Sequence, residues 1–133
     1  MIDLLLAAAL MQAAGDPCHA AGQPEAPRPG CPAWRLLTRS EEGDAWLDPA
    51  SVRLNGTTLE LQTRITLPAP MNGASSFTMQ LRFDCARRVG RVVSTELYDA
   101  AGRRFAGGQV DRPDDPVPAD SANGAMLNEF CPR

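Results

Sequence analysis

The 133-residue chain has the length of one domain, and its apolar fraction of 44% is enough to build a core. A net charge of -3 gives it no general attraction to nucleic acid or to an anionic membrane. Twelve prolines and eleven glycines favour short elements and turns over long helices. All thirteen basic residues are arginine, but they are scattered along the chain, which reads as composition rather than as a recognition device.

The first element is an apolar run, Leu4 to Met11, followed by small residues. It is too short to span a bilayer and reads as the core of an export leader, although Asp3 stands where a leader carries a basic residue. Residues 1–20 are assigned to this signal peptide, with Ala14 and Ala20 as the two cleavage positions. Asp16-Pro17 precede Cys18, where a lipoprotein site needs small or aliphatic residues, so no lipid anchor is expected. Residues 21–32 form a Pro/Gly-rich linker, part of a stretch from Gly15 to Pro32 whose composition buries too little surface to order itself. The domain then occupies residues 33–133.

Inside the domain the pattern is that of strands. Ala33 to Arg39 and Ala45 to Asp48 are two short strand candidates joined by the Glu41–Asp44 turn, and Asp48-Pro49 ends the second. Ser51 to Leu54 leads to Asn55-Gly56, a strong hairpin signal. In the long strand that follows, Leu59, Leu61, Ile65 and Leu67 share one face; Glu60, Gln62, Arg64 and Thr66 share the other. Pro68 to Ser75 reads as a loop. Phe77, Met79, Leu81, Phe83 and Cys85 again line one face of a strand, and a turn around Val89-Gly90 leads into a strand ending near Tyr98. Arg103 to Val110 is glycine-weakened and reads as an edge strand. After a proline- and aspartate-rich loop, Asp120 or Ser121 caps a helix that places Met126, Leu127, Phe130 and Cys131 on one side, with Pro132 at its end.

Four cysteines allow three pairings, and disulfides agree with export. Chain position separates Cys18 and Cys31, which bracket the proline-rich stretch, from Cys85 and Cys131, which lie within the domain. Cys85 belongs to the apolar face of a central strand and Cys131 to the apolar face of the helix, so a bond between them would pin helix to sheet. A Cys18–Cys31 bond would close the linker into a loop. The expected fold class is α+β and mostly β, an antiparallel sheet with one disulfide-pinned C-terminal helix.

No catalytic set is legible. His19 is the one histidine and falls in the linker region; with Cys18 and Cys31 it offers three metal ligands where structural zinc takes four. The carboxylates Glu41, Glu42, Asp44, Asp114 and Asp115 lie in expected loops. No metal and no cofactor are expected. Arg87, Arg88 and Arg91 flank one turn, and their expected common direction makes them the anion-binding candidates, toward a sulfated glycan or a lipopolysaccharide phosphate. Trp34, Trp46 and Tyr98 are the aromatics to follow.

Taken in order, these elements resemble the surface-adhesin protein E family: Trp34; the Trp46-Leu47-Asp48-Pro49-Ala50-Ser51-Val52 turn; Phe83-Asp84-Cys85; Tyr98 to Gly102; and Pro118-Ala119-Asp120-Ser121 leading a helix that ends in Cys131. The resemblance implies a sheet of about six strands with the C-terminal helix packed on it, and a cysteine pair at Cys85 and Cys131. It also implies an exported, non-catalytic binding module of the bacterial envelope, its best-known member binding host extracellular-matrix components. The partner class is then a protein or an anionic glycan, reached from the periplasm, the cell surface or the medium. The alternative is a periplasmic structural or accessory protein that binds another envelope protein.

Overall fold

The computed structural model describes residues 15–132, so the expected leader lies, up to Ala14, outside the described residues. Seven strands form one antiparallel sheet: β1 (Arg35–Ser40), β2 (Gly43–Asn55), β3 (Thr58–Met71), β4 (Ala74–Asp84), β5 (Val89–Tyr98), β6 (Arg104–Gln109) and β7 (Asp115–Pro116). Strands β1 to β6 follow one another in space as they do in sequence, and the short β7 pairs with β5 beside β6. A single described α-helix, α1 (Ala122–Phe130), closes the chain.

Strand boundaries depart from the expected ones at three places. Pro49 does not end a strand. Asp48 Oδ1 accepts from the Ala50 amide at 3.1 Å, and Ser51 Oγ donates to the Asp48 carbonyl at 2.6 Å. Ser51 Oγ also accepts the Gln62 amide at 2.8 Å. These bonds stabilise a bulge between Asp48 and Arg53, and a bulge admits the proline that a regular ladder would reject. Pro68 to Ser75 is not a loop: β3 continues to Met71 and turns at Asn72-Gly73, both with positive φ. The turn after β4 falls on Cys85–Arg88, while Val89 and Gly90 already belong to β5. Gly90 lies opposite Phe83, and a Cβ there would sit 2.3 Å from the ring, so the glycine makes room for the aromatic.

Alternation gives the sheet two unlike faces. On the first, Leu47, Leu59, Leu61, Leu81 and Phe83 pack under Met126 and Leu127 of α1. Ser121 Oγ caps that helix by accepting the Gly124 amide at 3.0 Å. Arg35 of β1 donates two hydrogen bonds of 2.8 Å to the Glu129 carboxylate, fixing its outer side. The Cys85–Cys131 disulfide ties the end of α1 to the end of β4, with Cα atoms 5.6 Å apart. Nine helical residues span roughly 14 Å, whereas the fourteen of β3 span roughly 46 Å. The helix therefore covers only one end of its face.

The second face is covered at the opposite end. Residues 15–32, expected as a linker without order, lie folded on the sheet as two short 3₁₀ turns, Pro17–His19 and Gln23–Glu25. The Asp16 amide donates to the Gly102 carbonyl at 3.1 Å and the Ala21 amide to Ala100 at 3.0 Å. Gly102 has φ +85°, and a Cβ on it would stand 2.1 Å from the Asp16 carbonyl oxygen, so this glycine lets the two backbones meet. The Cys18–Cys31 disulfide closes this strap on itself. Composition alone underestimated the segment because its order comes from main-chain hydrogen bonds and a cross-link rather than from apolar side chains.

Loop-entropy arithmetic for the Cys85–Cys131 link, with its sequence separation of 46, gives about 4 kcal/mol. The Cys85→Ala/Cys131→Ala double variant is expected to lose stability of that order, read as a lower denaturation midpoint in urea. A midpoint unchanged from the native protein would show that the helix docks without the cross-link.

Candidate ligand-binding site

Among the described residues the two covers divide the sheet into quadrants, two closed and two open. Under the strap lies the closed quadrant of the second face. Arg64, in the middle of β3, is fully buried there. Its Nη1 donates to the Cys18 carbonyl at 3.0 Å, and Nη2 donates to the carbonyls of His19 and Ala20 at 3.1 Å each. Ser76 Oγ is 3.5 Å away, and the Trp34 ring lies 5.8 Å beneath the guanidinium carbon. No carboxylate pairs with Arg64 among the described residues. Burial pulls its pKa down to about 10, which still leaves it charged at neutral pH. Three main-chain dipoles take the place of a counter-ion, an arrangement that holds only while the strap stays closed.

His19 seals the same quadrant. Its ring stacks on Tyr98 with centroids 3.9 Å apart and planes 7° from parallel. Only 14% of the side chain is exposed, and Asp16 Oδ2 stands 3.8 Å from Nε2. Burial first, and then the Arg64 charge, push the His19 pKa below its ordinary value; Asp16 opposes them. Trp34 and Trp46 are buried, and Trp46 Nε1 donates to Thr66 Oγ1 at 3.0 Å. Of the three aromatics singled out in the sequence, Tyr98 stacks on the strap, Trp46 borders its second turn and Trp34 packs against Arg64.

The open half of the first face is a groove of about 540 Å³ beyond the end of α1, lined by Ala45, Ile65, Leu67, Phe77 and Leu97 with Glu42 at its rim. The open half of the second face carries charge. Across β2, β3, β4 and β5 the register sets Arg53 opposite Glu60, Glu60 opposite Arg82, and Arg82 opposite Arg91. The loop after β6 adds Arg112 and Asp114 to the groove over Arg82 and Arg91.

The three arginines expected to act together separate. Arg88, at φ 52°, sends Nη2 to Asn128 Oδ1 of α1 at 3.2 Å. Arg87 is exposed at the turn, where its amide donates to Asp84 Oδ1 at 3.2 Å. Arg91 points to the second face, beside Asp114 at 3.8 Å. Sequence proximity grouped them, whereas strand alternation groups Arg91 with Arg82 and Arg53. The missed signal was register: once the hairpins are aligned, the three arginines and Glu60 fall on one rung. Both disulfides form, so all four cysteines are bonded. Among the described residues no group of three or more His, Cys, Asp or Glu side chains is placed to hold a metal ion.

The family model described as surface-adhesin protein E matches residues 34–132, from the buried Trp34 through the whole sheet and α1. No curated protein and no solved structure matches the chain.

The buried His19 gives the strap a pH dependence of definite sign. Its folded pKa lies below the ordinary 6.5, so the unfolded chain binds the proton first as pH falls. The strap is at full stability above pH 6.5 and loses it as pH drops from there toward the folded value. Thermal midpoints measured between pH 8 and pH 5 are expected to fall in the native protein and to fall less in His19→Phe, which keeps the stack on Tyr98 but cannot titrate. Parallel curves for the two proteins would remove His19 from the strap's stability.

Proposed function

The chain belongs to the surface-adhesin protein E family, and from that premise we propose that it is an exported, non-catalytic binding module of the bacterial envelope. The family match across 34–132 carries this reading. In this reading the sheet is a platform whose covered quadrants hold the fold and whose open quadrants meet a ligand, of the kind that surface adhesins find in host matrix components. The absence of catalysis is supported by the state of the reactive side chains: the four cysteines are disulfide-bonded and His19 is stacked beneath the strap. Two disulfides also favour an oxidising compartment.

Export in this reading proceeds by cleavage after Ala14. Cleavage after Ala20 would remove Cys18, leave Cys31 unpaired, and take away the three carbonyls that hold Arg64. The strap is then the N-terminal segment of the mature chain, not a spacer ahead of the domain.

A second reading, the periplasmic accessory protein, draws on one observation. Strand β6 ends the β1-to-β6 path, and every residue from Arg104 to Gln109 is exposed. Such an edge accepts a partner strand by main-chain pairing.

Intact mass and surface labelling of the producing cells test the reading together. The envelope fraction is expected to yield a chain beginning at Gly15, with no thiol alkylated until reductant is added, and with the protein accessible to antibody on whole cells. A full-length cytoplasmic chain with alkylatable thiols would contradict export. A mature chain that stays inside the outer boundary and co-purifies with an envelope protein would replace the adhesin with the accessory role.

A further inference from the structure

The rung across the open half of the second face contains one electrostatically unfavourable pair. Arg82 and Arg91 are directly opposed on neighbouring strands, where like charges destabilise a sheet. Arg82 meets Glu60 through Nε at 3.0 Å, and Arg91 meets Asp114 through Nε at 3.8 Å. Among the described residues their terminal Nη groups make no hydrogen bond, and Arg53 and Arg112 make no ion pair. Glu60 thus holds the Arg82 guanidinium by its inner edge, Asp114 only flanks that of Arg91, and both outer forks stay open, the part that grips an oxyanion with two parallel bonds.

The placement is fixed from both sides. Arg53, Arg82 and Arg91 stand on strands, at rung positions set by the register. Arg112 belongs to a loop anchored at both ends, by the Val110 amide on the Val93 carbonyl at 2.9 Å and by the pairing of β7 with β5. With strands ~4.8 Å apart, the three gaps from β2 to β5 give a row about 14 Å long. A row of forks crossing the strands suits a linear chain that carries oxyanions at intervals. It does not suit a membrane surface: the groove over it is lined mainly by polar and charged side chains, with no apolar patch to enter the acyl region.

We propose that the Arg53–Arg82–Arg91 rung, with Arg112 above it, binds a linear sulfated or phosphorylated glycan through its ester oxyanions. This rests on the binding-module reading and names its ligand class. It moves anion recognition from the Cys85–Arg88 turn to the face of the sheet.

The probe is a heparin-derived oligosaccharide long enough to cover the row, titrated calorimetrically against the native protein at low and at physiological salt. Arg82→Gln and Arg91→Gln are each expected to weaken binding about tenfold, near what loss of one charge-assisted hydrogen-bonding partner costs, and the triple Arg53→Gln/Arg82→Gln/Arg91→Gln variant to abolish it. Thermal midpoints of Arg91→Gln should hold or rise, because the like-charged pair is relieved; a structural arginine would lower them. A phosphorylated glycan of matched length separates the two oxyanions, and binding of either with the same arginine dependence supports the site. Unchanged affinity in Arg82→Gln and Arg91→Gln overturns it, as does an equal loss in Arg87→Gln and Arg88→Gln. Arginine-dependent binding to anionic phospholipid vesicles without binding to glycan overturns the ligand class. If the triple variant keeps its affinity for the oligosaccharide and both proteins adhere to immobilised matrix protein, the glycan site falls and the binding module stands; a cytoplasmic location removes the module itself.

Discussion

A single sheet has two faces, and the described residues offer one short α-helix to cover them. That mismatch in length governs the molecule. Helix α1 closes one end of the first face and, with its disulfide, makes the apolar core. The other face has a charged residue, Arg64, at the centre of its far end, where it cannot be covered by apolar side chains. The strap supplies a different chemistry: carbonyl oxygens for the guanidinium, a flat imidazole for Tyr98, and a glycine contact at Gly102. Among the described residues each face is therefore closed at one end, and the closed ends are diagonal to each other.

The diagonal arrangement decides what remains for recognition. Beyond α1 the first face is an apolar groove; beyond the strap the second face is a charged rung. Residues that serve the fold and residues offered to a ligand thus occupy the same strands, one face or one end apart. Arg64 and Arg82 make the contrast clear. Both are arginines on the second face of neighbouring central strands. The first is fully buried and bonded on both terminal nitrogens, whereas the second is partly exposed and bonded only through Nε.

Much of this was legible in the sequence because alternation is a direct image of a two-faced strand. The alternating runs through Leu59–Leu67 and Phe77–Cys85 placed the core face correctly, and the capped helix with Cys131 on its apolar side was readable from its pattern. Less legible were features that depend on partners distant in sequence. Asp48-Pro49 read as a stop because the Ser51 hydroxyl that stabilises the bulge bonds to Gln62, on another strand. The strap read as disordered because its composition is poor in apolar side chains; the contrary signal was Arg64, a charge at mid-strand that needed a cover. The arginine rung was missed because adjacency in sequence is not adjacency in a sheet.

The strap is the second cover of the sheet, held by the Arg64 guanidinium. Hydrogen exchange at the strap amides, compared between the native protein and Arg64→Met, tests it most directly. Asp16 and Ala21, whose amides bond to Gly102 and Ala100, are expected to be protected in the native protein. They are expected to lose protection in the variant while the Cys85 and Leu127 amides keep theirs. Strap amides that exchange at free-peptide rates in the native protein, or that stay equally protected without the guanidinium, would contradict it.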